Sequence, residues 1–294
     1  MNSNDFFKIR LINDWQLFWN ITVLISLVML VAIAQVDNWD GPTASSLIQL
    51  SVRLAVPCLY LAFAASSLQL IFPSAFSSWL LRNRSKIGLC FAVAMAWQLI
   101  FILLLVTVFR DYYTDEVYVL RDAIEGVTGY FFLIAMTLTS FEFVRKHISV
   151  KTWRLLHKSG IYYLWAYAFS VYWWELFYYP DPEPLDYIYY FAGFMAWALR
   201  VRAWRSKSRR QDHGESQQSM LQLSLQLLAY GVLALGVLAS FTGSVWRESA
   251  ETSLTGYVLT GFPETYLPYW PFEPFLPLLV ITIGFYLIRR SYSA

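Results

Sequence analysis

The chain has 294 residues, of which 57% are hydrophobic, 19% aromatic and 14% charged. A water-soluble domain carries about 25% charged residues, so this composition, with a mean hydropathy of +0.45, excludes a disordered chain, a secreted disulfide scaffold and a nucleic-acid binder. The net charge is only +2, and 2 Cys and 3 His are too few ligands for a zinc cluster, an iron–sulfur centre or a four-haem array.

A membrane span takes about 20 apolar residues at about 1.5 Å each. Eight segments of that kind run along the chain: Trp15–Val36, Leu54–Phe72, Ile87–Phe109, Gly126–Val144, Leu155–Trp174, Leu185–Trp204, Leu221–Phe241 and Pro271–Ile288. The fourth, fifth, sixth and eighth are shorter or carry a charge at one end. Their lengths, and the lack of alternating polarity, predict helices rather than strands. The expected fold is all-α, a polytopic membrane helix bundle of about eight transmembrane helices.

The charges orient it. Of the 22 Lys and Arg, eighteen fall at one end of these segments: Lys8 and Arg10, Arg82 to Lys86, Arg145 to Lys158, Arg200 to Arg210, and Arg289 with Arg290. Arg110, Arg121 and Arg247 fall at the other end, where the acids Asp37, Asp40, Asp111, Asp115, Glu116, Asp122, Asp181, Glu183 and Asp186 also lie. Basic loops stay inside, which predicts a multi-pass protein of the inner (plasma) membrane with both termini cytoplasmic. Arg53 is either interfacial or a functional intramembrane charge, and a second span starting at Leu54 makes it interfacial. Ala32-Ile33-Ala34 after a long apolar run imitates a signal-peptide cleavage site, but the run is too long and too rich in Trp and Phe, which favours an uncleaved first helix.

Three parts follow along the chain. Residues 1–204 hold six spans. Residues 205–219, RSKSRRQDHGESQQS, form a polar cytoplasmic linker in which His213 is solvated. Residues 220–294 add two spans, joined by a long outer loop, Thr242–Pro271, that contains Trp246, Tyr257, Tyr266, Tyr269 and Trp270. Cys58 and Cys90 are lone residues on separate spans and read as small core hydrophobes. Glu142 sits one turn from Arg145 and Lys146, and a local ion pair accounts for it.

The stretch with chemical content is Lys151–Trp174, KTWRLLHKSGIYYLWAYAFSVYWW. Its basic lead, W-R-L-L-H element and aromatic apolar run resemble the fifth helix of the ferric reductase-like transmembrane domain, in particular the MsrQ/YedZ family of bacterial inner-membrane haem proteins. Leu81–Val106, with its basic lead and Gly-Leu pair, is similar to that family's third helix. Gly129–Ser140, GYFFLIAMTLTS, is similar to its fourth. The resemblance covers residues 47–204.

It implies b-type haem held by histidines on the third and fifth helices, since haem iron needs a strong axial donor and imidazole is the usual one in a bundle. Here His157 keeps the first position of the fifth helix. The second position is Ser170, and the third-helix position is Gln98. Both are poor iron ligands, and a hydrogen-bonded polar pair in the bundle accounts for them. His157 is the one candidate haem ligand, with His147 the only second donor within reach. Equally, His157 reads as an interfacial histidine flanked by Arg154 and Lys158.

Two functions stand from this reading. One is an electron-transfer membrane subunit, an oxidoreductase component using haem b or a flavin and supplied by a redox partner. The other is a haem-free scaffold on the same fold that binds a structural protein partner in the lipid bilayer. A small-solute transporter is disfavoured, because no span shows paired acids or a broken-helix pair. No catalytic residue and no other metal site is expected.

Overall fold

The computed structural model describes residues 7, 9–209, 220–255 and 273–291. Among them there are helices and turns but no strand. The α-helices of four or more residues are α1 (Asp14–Ala34), α2 (Gly41–Ile71), α3 (Ala75–Thr107), α4 (Leu120–Leu138), α5 (Glu142–Arg145), α6 (Val150–Phe177), α7 (Pro184–Arg209), α8 (Met220–Phe241), α9 (Gly243–Thr255) and α10 (Leu276–Ser291). Among the described residues, four helices are long and apolar enough to cross a membrane: α1, α2, α3 and residues Ser224–Phe241 of α8. These coincide with the first, second, third and seventh predicted segments. The protein is therefore a membrane-embedded helical bundle. The chain forms two compact units, residues 1–168 and 169–294.

In the first unit, α2 and α3 form a hairpin. Asp40 caps α2 by accepting the Thr43 N–H at 2.8 Å. Ser74 and Ser77 form a capping box at the start of α3, directly after Pro73, which ends the preceding helix. Ser77 Oγ also lies 2.7 Å from Gln69 Oε1, tying the two helices together at the turn. α1 lies against α3 in parallel, since their contacts keep a near-constant offset of 67 to 72 residues: Trp79 to Ile12 O, Asp14 N–H to Asn83, Cys90 to Phe18 O, and Trp97 to Ser26. At the far end Met29, Leu47 and Phe101 are buried together, with Ala32, Ile33, Leu54 and Trp97 packed around them. Ala32 and Ile33, in the last turn of α1, thus pack on that cluster. Cys58 and Cys90 are buried, as their apolar settings suggested.

Several boundaries differ from the sequence reading: α3 begins at Ala75, twelve residues before Ile87, and α4 covers Leu120–Leu138 where Gly126–Val144 was expected. α2 begins at Gly41, thirteen residues before Leu54. Arg53 is half-buried and lies about 18 Å along that helix, between Leu47 and Leu54, both of which pack on the Met29–Phe101 core. It is inside the helix rather than at its outer end. Ser46, Ser51 and Gln49 dilute hydropathy there and hid the helix start. The stretch after Thr242, read as loop, begins with α9. Trp246 is in that helix and donates its indole N–H to Ala239 O at 2.9 Å. Tyr257, Tyr266, Tyr269, Trp270 and His213 lie outside the described residues.

The second unit contains the end of α6 with α7 to α10. α8 and α10 touch backbone to backbone. A Cβ on Gly236 would come 2.9 Å from Ile281 N and 3.1 Å from Pro277 O, the close approach that small residues permit between membrane helices. Tyr190 is buried and donates to Ser240 O at 2.8 Å. Glu273 is fully buried and accepts from Tyr178 Oη at 3.0 Å. The Arg247 guanidinium lies over the Tyr178 ring at 3.9 Å.

Candidate functional site

α4 and α6 run antiparallel, and a ladder of contacts joins them within the first unit. Tyr163 Oη donates to Glu125 O at 3.0 Å. Phe132 and Tyr163 rings lie 5.4 Å apart. A Cβ on Gly160 would meet Met136 Sδ, and would sit 3.1 Å from Phe132 Cδ1. A side chain there would push Met136 and Phe132 aside. The ladder ends at Thr139 and His157.

His157 Nε2 is 2.9 Å from Thr139 Oγ1. Thr139 Oγ1 is also 2.7 Å from Ala135 O, one turn back along α4, the usual resting place for a threonine hydroxyl proton in a helix. A hydroxyl has one proton and two lone pairs. With its proton on Ala135 O, the hydroxyl is left to accept from a His157 ring that carries its proton on Nε2. The Trp153 ring packs on His157 at 4.5 Å between centroids, and its indole N–H donates to Thr139 O at 3.1 Å. Trp153, His157 and Thr139 therefore form one closed polar knot.

An axial imidazole must offer a nitrogen lone pair; Nε2 of His157 is hydrogen-bonded to Thr139, and an Nε2–H ring has Nδ1 as its lone-pair nitrogen. His147 is exposed on the turn after α5, its Nδ1 2.9 Å from Phe143 O. Among the described residues no group of three or more His, Cys, Asp or Glu is arranged to hold a metal ion.

The other two positions of the haem comparison also have definite surroundings. Gln98 is half-buried on α3, and its Oε1 accepts from Tyr130 Oη of α4 at 2.8 Å. Tyr130 Oη also lies 3.1 Å from Met95 O. The partner of Gln98 expected from sequence was Ser170. The structure gives it Tyr130 instead, and Ser170 is a buried residue of the second unit. Thr139, Trp153 and Tyr130 were missed by sequence reasoning, although all three lie inside the stretches that carry the resemblance. The signal was the polar residue at each apolar helix face, which motif matching passed over.

Comparison with known protein families, curated proteins and solved structures finds no match to this chain.

Proposed function

We propose that this chain is a multi-pass inner-membrane protein that keeps a ferric reductase-like scaffold without haem, and that it anchors or assembles a protein partner in the bilayer. The observation carrying this reading is the Thr139–His157 bond. It ties down Nε2 of the one histidine offered as a haem ligand, while Gln98 is engaged by Tyr130. Polar bonds between membrane helices hold a bundle together, and that is sufficient work for these residues. In this proposal α4, α6, α7 and α10 are the remaining spans, about eight in all. The eighteen-to-three bias of basic residues sets both termini in the cytoplasm.

The test is the absorption spectrum of the purified chain made under haem-sufficient conditions. A colourless, flavin-free protein, unchanged by His157→Ala, is the expected result. On a native gel of solubilised membranes the chain should then migrate together with a second polypeptide. Migration of the chain alone would remove the scaffold role.

The second reading is electron transfer through haem b on His157, or through a flavin, with a partner as donor. The W-R-L-L-H element at the basic end of α6 favours it. A Soret band that shifts on reduction and vanishes in His157→Ala would establish this reading and overturn the first.

A further inference from the structure

The start of α6 carries a basic face. Lys151, Arg154 and Lys158 recur three and four residues apart, so they lie on one side of the helix, with Leu155 one turn from both lysines. All four are exposed, Leu155 to 67%. The side chains of Lys151, Arg154 and Lys158 make no hydrogen bond or ion pair among the described residues. The stretch 141–159 holds five Lys and Arg against Glu142 alone. The level of this face follows from the Thr139–His157 bond of 2.9 Å, which sets His157 beside the residue that follows α4. α4 has 19 residues, about 28 Å against a hydrocarbon thickness of about 30 Å. With α4 and α6 as spans, the hydrocarbon ends near Thr139 and His157. Val150 starts α6 about 10 Å farther out, past a headgroup layer of about 5 to 7 Å, and is 57% exposed.

We propose, resting on the scaffold reading above, that this face is where the partner protein docks and that its docking segment is acidic. Carboxylates one helical turn apart would lie along Lys151, Arg154 and Lys158, with an apolar side chain on Leu155. Charge complementarity selects this occupant. Three cations on one helix face repel one another, and a single negative segment relieves all three. Anionic headgroups meet Lys158 at the hydrocarbon edge. They do not extend to Lys151, about 9 Å beyond His157, and no acyl chain reaches Val150 there. An acidic protein segment spans the whole face. Leu155 between Lys151, Arg154 and Lys158 also has the apolar centre and polar rim of a protein contact.

The test places the photo-cross-linker p-benzoylphenylalanine at Leu155 of the full chain in intact cells. Irradiation should join the chain to one polypeptide, and mass spectrometry should map the bond to a peptide with Asp or Glu spaced three or four residues apart. Lys151→Glu with Arg154→Glu should cut the adduct yield about tenfold or more, since like charges then face each other. Both side chains are exposed, so that variant should keep the wild-type melting temperature, and Lys151→Arg with Arg154→Lys should keep the adduct. Adducts with lipid alone, with a peptide that lacks acidic residues or with a second copy of this chain would overturn the proposal, as would an undiminished yield in the charge-reversed variant. If the chain still migrates with a second polypeptide on the native gel, that failure falls on the docking face and leaves the scaffold reading standing. Migration of the chain alone removes both.

Discussion

Asn83 Oδ1 accepts the backbone N–H of Asp14 at 2.8 Å, across 69 positions of sequence. Asp14 opens α1 with φ of 50°, in the left-handed region, a conformation that costs about 1 kcal/mol for a residue other than glycine. Asn83 is 1% exposed and also donates to Asn13 Oδ1 at 3.1 Å and to Trp79 O at 3.0 Å. One buried amide thus holds the strained start of the first helix against the hairpin.

Asn83→Leu should therefore loosen α1 specifically. It removes three hydrogen bonds, at about 1 kcal/mol each a loss of about 2 to 3 kcal/mol. Protease cleavage near residues 9–14 should rise before global unfolding of the purified protein. Equal protection of mutant and wild type would contradict the role given to Asn83.

The Thr139–His157 bond predicts a coupling energy. Thr139→Val and His157→Ala should each destabilise the protein, and the double variant should fall short of their sum by about 1 kcal/mol. Denaturant or thermal unfolding in detergent measures this cycle. Strict additivity would mean that the bond contributes nothing to stability.

Gly160 of α6 faces the Met136 and Phe132 side chains of α4. Gly160→Leu should force Met136 and Phe132 aside at a cost of about 1 to 3 kcal/mol. Gly88 has no neighbour within 4 Å of an added Cβ, so Gly88→Ala should leave the melting temperature unchanged or raise it slightly. A reversed order of the two variants would refute the contact ladder.

Asp40 gives a pH signature. Its hydrogen bonds from Thr43 hold its carboxyl below the ordinary carboxylate range. For a depressed group, the stabilising contribution is fully present above the unfolded value of 3.8 and is lost as pH falls through the lower folded value. Thermal stability of the wild type should drop across that acid window, and Asp40→Asn, which keeps the cap but does not ionise, should remove that part of the drop. An unchanged acid profile in Asp40→Asn would rule the cap out as its source.

The apolar lengths of α1, α2, α3 and α8 were readable without any tertiary information, because a span is a local property: about 20 residues that water rejects. The all-helical class follows for the same reason, since an isolated segment in lipid satisfies its backbone only as a helix. Boundaries were less readable. The start of α2 carries Ser, Thr and Gln that lower its hydropathy, so Arg53 was placed at an end when it lies within the helix. α9 has no apolar run and passed as loop.

The identity of His157 and its neighbours on the chain was fixed by the sequence alone, as was the crowding of basic residues at one end. What only the tertiary structure decided is what His157, Gln98 and Asn83 hold. His157 meets Thr139 from 18 positions away, Gln98 meets Tyr130 from 32, and Asn83 meets Asp14 from 69. Each pairing depends on the register and rotation of two packed helices. A hydrogen bond forms only within about 3.2 Å, while a one-residue slip along a helix moves a side chain by about 1.5 Å and turns it by about 100°. Hydropathy carries no information at that precision, and the fold supplies it.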